Sequence, residues 1–376
     1  MTGLVVVGSG PAGVAAATAY RDAGGPGPIA LLSADGAAPY ERPPLSKEVL
    51  AGTAADPTPI DADLTGIDVR LDTTVTGIDT TARQLTTADG ATVPYDRLVI
   101  CAGARPIRLP GQDDSQVHVL RSLALARSLV ADAEQARTAI VVGSGFIGCE
   151  AAVSLASRGT EVTMVTRSSQ PQLDRVGRFA ADKLAGWLAE AGVTVRTEAA
   201  VAEVRGPRTV VLESGEALEA DVVLVALGIE PSGDLGSGLP TEQGRLLVDD
   251  HLSTGVDGVW AAGDGVLAEH AVAGRRIATE HWDDATTQGT IAGQNAAGQD
   301  RAWQEIPSFW SDLGDHPLQW AGWGDGFDTD HGSEDDQGWT VWYGKDGVCV
   351  GVLTSNHYDD DDRGKQLIAD HRPVPH

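Results

Sequence analysis

The chain has 376 residues, enough for two or three domains with a large core. Its formal net charge is −27, from 54 acidic and 27 basic side chains, which argues against nucleic acid or an anionic membrane as a partner. The apolar runs are only strand-length, so we expect no transmembrane helix. The three cysteines are far apart in sequence, which predicts a reducing, cytoplasmic location without disulfides or a metal site.

The first 20 residues predict a dinucleotide-binding strand, turn and helix. Four apolar residues at 4–7 indicate a buried strand, and an Ala-rich run to residue 20 indicates a helix. Between them, Gly8, Gly10 and Gly13 have the G-x-G-x-x-G spacing. These glycines permit the tight turn, the approach to a pyrophosphate and close helix packing, and the helix N-terminus attracts the anion. A loop so near the start leads us to expect no signal peptide.

The first unit continues with predicted strands and a hairpin. A strand is expected over residues 29–33, and Asp35 just after it is the candidate for binding a ribose hydroxyl, with a solvated loop aspartate as the alternative. The Asp89-Gly90 pair predicts a hairpin turn. A strand over 97–100 then leads into a turn that contains Ala102 and Gly103.

The chain next repeats this whole unit. Gly143, Gly145 and Gly148 reproduce the spacing of the first loop behind an apolar strand at 139–142. The later elements of the repeat are a helix over 151–157, a strand over 161–166, a meander over 193–218 and a strand over 221–227. Two dinucleotide folds in one chain predict two nucleotides held face to face, and therefore transfer between cofactors.

The last part of the chain changes character after a predicted helix at 282–297. Residues 301–376 contain six of the nine tryptophans. An antiparallel sheet is expected from alternating segments at 318–323, 339–343 and 348–354, with a final helix over 363–370. Acidic runs at 325–336 and 359–362 are expected to interrupt this domain.

Several motifs together resemble the oxygenase-coupled ferredoxin reductases, the group of the putidaredoxin, rubredoxin and biphenyl-dioxygenase reductases. These motifs are YERPPLSK at 40–47, GFIGCE at 145–150, the Gly-Asp strand end at Asp264, EHW at 280–282 with Ala285, Gln288 and Gly289, and FWSD at 309–312. The resemblance implies an α/β fold with two Rossmann-like dinucleotide-binding domains and a C-terminal α+β domain. By resemblance, the FAD domain covers 1–106 and 230–300, the NAD(P)H domain 107–229 and the C-terminal domain 301–376.

The resemblance also implies roles for individual residues. Lys47 is expected beside the flavin ring, with Glu150 paired to it beside the nicotinamide, as the two catalytic residues. The FAD-binding residues are expected to be Gly8, Gly10, Pro11, Ala12, Gly13, Asp35, Arg42, Lys47, Val75, Ala102, Gly103, Asp264 and Trp282. Those for NAD(P)H are Gly143, Gly145, Phe146, Ile147, Gly148, Glu150, Arg167 and Gly228.

The cysteines separate this chain from the disulfide reductases, which carry a C-x-x-x-x-C pair after the first unit. No cysteine lies near residues 43–46 here, and Cys101 and Cys149 are expected to be small packing residues. Electrons are therefore expected to leave from the flavin itself and not through a thiol. The resemblance implies that hydride passes from NAD(P)H to the flavin, which then passes single electrons to a ferredoxin-like iron–sulfur protein.

The end of the second nucleotide-binding strand indicates the coenzyme. A carboxylate there would bind a ribose 2′-hydroxyl and repel a 2′-phosphate. Residues 166–169 read Thr-Arg-Ser-Ser, so Arg167, helped by Arg175, favours NADPH over NADH. The alternative is that Arg167 is an ordinary surface arginine and that NADH is used.

The acidic tail leaves the electron acceptor open. Residues 301–376 hold 15 acidic and 5 basic side chains, and such a field slows association with an acidic ferredoxin. One alternative is an NAD(P)H oxidase or a reductase of quinones or other small molecules. Another is a redox-sensing flavoprotein that resembles apoptosis-inducing factor. A monomer and a homodimer are both compatible with the sequence.

Overall fold

The computed structural model describes residues 3–113, 116–233 and 235–375. Its α-helices are α1 (Pro11–Asp22), α2 (Glu48–Ala51), α3 (Leu123–Ala133), α4 (Phe146–Ser157), α5 (Leu173–Glu190), α6 (Trp282–Ala296) and α7 (Tyr358–Ala369), with a 3₁₀ turn at Pro43–Leu45. The strands of the first half are β1 (Leu4–Val7), β2 (Ile29–Leu32), β3 (Ile67–Arg70), β4 (Val75–Asp79), β5 (Gln84–Thr87), β6 (Thr92–Pro94), β7 (Arg97–Ile100), β8 (Ala104–Pro106), β9 (Thr138–Val142), β10 (Glu161–Val165), β11 (Thr194–Arg196), β12 (Val201–Arg205), β13 (Thr209–Leu212) and β14 (Ala217–Glu219). Those of the second half are β15 (Val222–Val225), β16 (Ile229–Pro231), β17 (Thr241–Glu242), β18 (Arg245–Val248), β19 (Val259–Ala261), β20 (Val266–His270), β21 (Arg275–Ile277), β22 (Ser308–Leu313), β23 (His316–Gly322), β24 (Thr329–Glu334), β25 (Trp339–Lys345) and β26 (Val348–Ser355).

Contacts among the described residues divide the chain into two compact units. The first comprises residues up to 41, 58–105 and 230–309. Its centre is a parallel sheet in the order β19-β7-β1-β2-β3. Strand β1 is buried along its whole length because it has neighbours on both edges, β2 and β7, in register from Leu4 to Val7. A central parallel strand covered on both faces requires the continuous apolar run seen in the sequence.

Helix α1 packs on the long helix α6 within this unit. A Cβ added at Gly289 would overlap the backbone of Ala12, and one at Gly293 would overlap the backbone of Ala16. Glycine at these two positions therefore lets the helix axes approach closely. An antiparallel sheet of β4, β5 and β6 and a four-stranded sheet in the order β17-β18-β20-β21 complete the unit.

The second unit comprises residues 42–57, 106–229 and those from 310 onwards. Its parallel sheet has the order β11-β10-β9-β15, and the antiparallel strands β12, β13 and β14 share a buried core with it. Arg158 fixes the segment 42–57 to this unit. Its guanidinium donates to the Leu50 carbonyl at 2.9 Å and lies 3.6 Å from the Glu134 carboxylate.

The C-terminal part of the second unit is an antiparallel sheet in the order β22-β23-β26-β25-β24, with α7 packed on it. A Cβ at Gly364 of α7 would overlap the side chain of Val352, so glycine permits this packing. The buried Tyr343 hydroxyl donates to the Val176 carbonyl of α5 at 2.8 Å. It does so just before Gly177, whose φ of 71° kinks that helix.

Most predicted elements are confirmed. The Asp89-Gly90 turn joins β5 to β6, and α6 ends one residue before the predicted limit. Two of the predicted C-terminal strands lie within β25 and β26, and β23 covers the third except for its last residue, 323. The prediction that both acidic runs interrupt the C-terminal domain is wrong. The first contains the exposed edge strand β24, and the second is the first turn of α7, where aspartates suit the positive end of the helix dipole.

The predicted division by ligand (FAD domain 1–106 and 230–300, NAD(P)H domain 107–229, C-terminal domain 301–376) stays a prediction. The borders of the compact units at 105/106 and 229/230 lie at or next to those boundaries. The units differ from the prediction in placing residues 42–57 and the C-terminal part with residues 106–229.

Candidate functional site

The two glycine loops have the same construction. Gly8 and Gly143 have φ angles of 105° and 106°, in the left-handed region that favours glycine. A Cβ at Gly13 would overlap the carbonyl oxygen of Gly8, and a Cβ at Gly148 would overlap that of Gly143. The first and third glycines of each loop are thus required by the backbone itself, which explains the repeated spacing.

The second loop is open at its middle glycine. A Cβ at Gly145, the N-cap of α4, would meet no atom within 4 Å, so the middle of the loop is open. The apolar side chains of Ile147 and Leu227 are 47% and 38% exposed. Leu227 also contacts the loop at Gly143. Open glycine backbone at a helix N-terminus, flanked by accessible apolar groups, fits a pyrophosphate and the planar rings that it joins. Leu227 was not among the predicted residues.

In both loops a serine hydroxyl pairs with the residue that follows the second strand. Ser9 and Ser33 have hydroxyl oxygens 2.6 Å apart, and those of Ser144 and Thr166 are 2.8 Å apart. Neither position carries a carboxylate. The absence of a carboxylate at Thr166 was predicted, but these hydroxyl pairs were not. Their signal in the sequence is a serine between the first two glycines of each loop.

Several other residues predicted to bind FAD lie in loops, strands and helices of the first unit, and Arg42 is the first residue of segment 42–57 of the second unit. The Asp35 carboxylate accepts bonds from the Tyr40 hydroxyl at 2.6 Å and the Ala37 amide at 3.1 Å, so it closes its own loop. Gly103 has a φ of 66°, and its carbonyl accepts from the Ser232 amide. Val75 is buried in β4, Ala102 precedes Gly103, Pro11 and Ala12 open α1, and Arg42 caps the 3₁₀ turn. Their contacts with FAD stay a prediction.

The strand end at Asp264 is held from two sides. The Gly263 amide donates to the buried Gln288 side chain at 2.8 Å. Arg245 donates to the Asp264 carbonyl and, 2.5 Å away, to the Glu280 carboxylate. Trp282, one of the predicted flavin neighbours, opens α6 two residues after Glu280. Arg245 and Gln288 thus fix the loop to which the resemblance assigns the flavin, and Arg245 was missed because it sits alone in an apolar strand.

Lys47 and Glu150 form the predicted ion pair within the second unit. The Lys47 Nζ lies 3.2 Å from the Glu150 Oε1, and both side chains are almost buried. The carboxylate also accepts the hydroxyls of Ser46 at 2.5 Å and Ser311 at 2.6 Å. Asp312 places an oxygen 4.0 Å from Nζ. The pair was predicted, but no role was predicted for Ser46, Ser311 or Asp312, although all three lie within the quoted motifs.

Burial raises the pKa of the Asp312 carboxyl, and the nearby Glu48 raises it further, whereas Lys47 lowers it. The cluster therefore contains a buried carboxylate, a largely buried ammonium group and a half-exposed acid that holds its proton more tightly than a free aspartate. Such an arrangement holds one ammonium group in a fixed position beside a buried carboxylate.

The remaining predicted NAD(P)H residues lie at the start of α4 or follow strands of the second parallel sheet. Phe146 begins α4, and Gly228, with a φ of 100°, follows β15. Arg167 is exposed directly after Thr166, and Arg175 is exposed in the first turn of α5. These two guanidinium groups are accessible to an anion, and their contact with a coenzyme stays a prediction.

The cysteines show no sign of thiol chemistry. All three are buried and unbridged. Burial raises the pKa of Cys101 and that of Cys149 to about 12. A thiol with so high a pKa is almost wholly protonated at neutral pH and is a poor nucleophile.

Among the described residues, one group has metal-ligand geometry, namely Asp249, Asp250 and His251. Its imidazole already lies 2.7 Å from Asp250 and 3.0 Å from Asp300. In the same described part of the chain, no helix is both long and apolar enough to cross a membrane.

The sequence matches two protein-family models. Residues 2–289 match pyridine nucleotide-disulphide oxidoreductase, and residues 308–376 match the reductase C-terminal domain.

Curated and solved proteins agree with these matches. Rubredoxin-NAD(+) reductase of Pseudomonas putida is 32% identical, over 85% of this chain and 86% of its own. The ferredoxin–NAD(+) reductase component of the anthranilate 1,2-dioxygenase system of Burkholderia cepacia is 32% identical, over 97% and 94%. The crystal structure of the covalent putidaredoxin reductase–putidaredoxin complex superposes with a TM-score of 0.91 at 27% identity, over 99% of this chain and 94% of that one.

Proposed function

The chain belongs to the pyridine nucleotide-disulphide oxidoreductase family, and we propose that within it the protein is an FAD-dependent NAD(P)H:ferredoxin reductase of an oxygenase system. Membership of the family implies FAD and a pyridine nucleotide as cofactors. The relatives named above reduce rubredoxin or ferredoxin, by their names, and we extend that type of acceptor to this chain.

One observation carries the proposal, namely that the two residues proposed for the hydride site form an ion pair and that no reactive thiol accompanies it. Lys47 and Glu150 are paired, whereas Cys101 and Cys149 are buried with raised pKa values. When the cofactors are bound, the nicotinamide supplies hydride and the flavin accepts it and returns electrons singly to an iron–sulfur protein. Without a reactive thiol, the chain has no second redox group of its own.

The proposed residues have two roles, to bind the cofactors and to place a positive charge beside the flavin. The loop at Gly8, Gly10 and Gly13 would hold the FAD pyrophosphate, and that at Gly143, Gly145 and Gly148 the coenzyme pyrophosphate. Lys47 would place its positive charge where the ring gains negative charge, and Glu150 would fix the ammonium group. No acid or base is needed for the hydride step itself.

We propose NADPH as the preferred coenzyme. Support comes from the Ser144–Thr166 hydroxyl pair, which stands where a carboxylate would bind the ribose 2′-hydroxyl, and from the exposed Arg167 beside it. Two hydroxyls and a guanidinium group suit a 2′-phosphate. The relatives compared above are named for NAD(+), so the coenzyme is a point on which this chain is expected to differ from them.

Steady-state assays of the purified yellow protein test the proposal. NADPH and NADH are each titrated anaerobically while the flavin absorbance is followed, and the reduced protein is then offered ferredoxin, quinone or dioxygen. We expect faster reduction by NADPH and electron transfer to a ferredoxin well above the dioxygen background. If ferredoxin is reduced no faster than dioxygen, the protein is an oxidase. Slow turnover with a long-lived, long-wavelength absorbance would indicate a redox sensor instead.

A further inference from the structure

Three separate parts of the second unit meet at the Glu150 carboxylate. Glu150 lies on α4, Ser46 ends the 3₁₀ turn at 43–45, and Ser311 lies on β22 of the C-terminal sheet. Glu150 is 5% exposed and Ser311 is 1% exposed, so water contributes little here. The carboxylate receives one hydroxyl on each oxygen, with Ser46 at Oε2 and Ser311 at Oε1.

A buried carboxylate needs this degree of compensation. A single ion pair rarely offsets the cost of removing both charges from water unless further hydrogen bonds occupy the remaining lone pairs. Lys47 contributes the opposite charge at 3.2 Å, and the two serines contribute the hydrogen bonds. Ser154 of α4 donates back to the Ser46 carbonyl at 2.8 Å, which fixes the segment that carries Lys47.

Lys47 has a second anion within reach. Asp312 lies 4.0 Å from Nζ and is 38% exposed, on the same strand as Ser311. If Glu150 were less firmly held, the ammonium group could move towards Asp312. The position of the lysine charge therefore depends on how well Glu150 is compensated.

We propose that Ser46 and Ser311 are positioning residues for hydride transfer. Their hydroxyls hold the Glu150 carboxylate and thereby keep the Lys47 ammonium group in place. The inference rests on the proposed function because it takes Lys47 to be the group that acts on the flavin. It adds that strand β22, and so the C-terminal sheet, contributes directly to the hydride site.

The test compares Ser311→Ala and Ser46→Ala with the wild type in single-turnover reduction of the flavin by NADPH. Removal of either donor leaves the Glu150 carboxylate, and with it the Lys47 ammonium group, less firmly held, so the reduction rate should fall about tenfold. The dissociation constant for NADPH should change less than about twofold, because the three glycines that would hold the coenzyme pyrophosphate are unchanged. The midpoint potential of the flavin should fall, since the positive charge beside it is less well fixed.

Two matched variants distinguish positioning from general damage. Ser157→Ala removes a hydroxyl from the same helix, α4, where it donates to the Ser154 carbonyl at 2.8 Å, and should leave the rate and potential unchanged. Glu150→Gln removes the carboxylate charge that accepts the two serine hydroxyls. In that background Ser311→Ala should therefore lower the reduction rate by less than about a further twofold. The same cycle, run on the urea unfolding free energy of the FAD-bound protein, should show coupling between Ser311 and Glu150.

The proposal is overturned if Ser311→Ala and Ser46→Ala lower only the unfolding free energy and leave the reduction rate and the potential unchanged. It is also overturned if the loss is as large in the Glu150→Gln background. Should Ser311→Ala fail to fold, Ser46→Ala provides the same test from another segment. None of these assays uses ferredoxin, so failure of the proposed acceptor would be seen separately.

Discussion

The hydroxyl oxygens of Ser144 and Thr166 lie 2.8 Å apart, where the glycine loop meets the end of β10. Under the proposed function, this is the position at which a carboxylate would select the ribose 2′-hydroxyl. The Thr166 side chain is buried, so the fold fixes the position of its hydroxyl.

Thr166→Glu should reverse the coenzyme preference. The new carboxylate would repel a 2′-phosphate and accept a 2′-hydroxyl, so the ratio of kcat/KM for NADPH to that for NADH should fall at least about tenfold. Steady-state assays with both coenzymes measure this ratio. Thr166→Val, which removes the hydroxyl without adding charge, is the control and should move the ratio much less. An unchanged ratio in Thr166→Glu would place the 2′-group elsewhere.

Gly145→Ala and Gly148→Ala should have different effects although both lie in one loop. A Cβ at Gly145 meets no protein atom and its φ is −65°, so the thermal midpoint should be preserved while KM for NADPH rises about tenfold. A Cβ at Gly148 overlaps the Gly143 carbonyl, which should cost about 1–3 kcal/mol of unfolding free energy. Calorimetry and coenzyme titration together separate the two outcomes. Equal destabilisation would mean that the loop is closed in solution.

Asp312→Asn should change how stability depends on pH. Burial, with Glu48, raises the pKa of Asp312 despite Lys47, so the folded state binds this proton more tightly than the unfolded state does. The contribution of Asp312 to the free energy of unfolding therefore falls as pH rises from the ordinary aspartate range through the raised pKa.

Urea unfolding across pH 3.5–7 would measure this effect. The difference in unfolding free energy, Asp312→Asn minus wild type, should increase with pH over that window and then level off. Asp315→Asn, an exposed carboxylate just beyond the same strand, is the control for loss of surface charge. A flat difference for Asp312→Asn would show that the carboxyl is not desolvated in solution.

The rate of electron transfer to an acidic ferredoxin should rise with ionic strength. Residues 301–376 carry 15 acidic and 5 basic side chains, and the strand β24 that edges this sheet is exposed along its length. Salt screens the resulting repulsion, with a Debye length of about 10 Å at 0.1 M. Stopped-flow measurements between 0.02 and 0.5 M salt would detect this. A rate that falls with salt would indicate a basic docking surface or a basic acceptor.

The sequence predicted the structure well at positions where the backbone geometry admits only one residue type. Gly8 and Gly143 need positive φ, and Gly13 and Gly148 face a carbonyl oxygen, so both loops could be recognised from spacing alone. Strand β24 was missed because its residues are polar at every position, and a strand exposed on an edge needs no apolar alternation. Ser311 was missed because it acts on a carboxylate 161 residues away, a relationship that no local pattern encodes.

That long separation also bears on how the protein is made. A growing chain folds from its N-terminus as it leaves the ribosome. The second unit uses residues 42–57 and 106–229, but the Glu150 carboxylate lacks one hydroxyl donor until residue 311 has been synthesised. Its burial must therefore wait for nearly the whole polypeptide, and nascent chains that stop short of β22 should hold an incompletely formed hydride site.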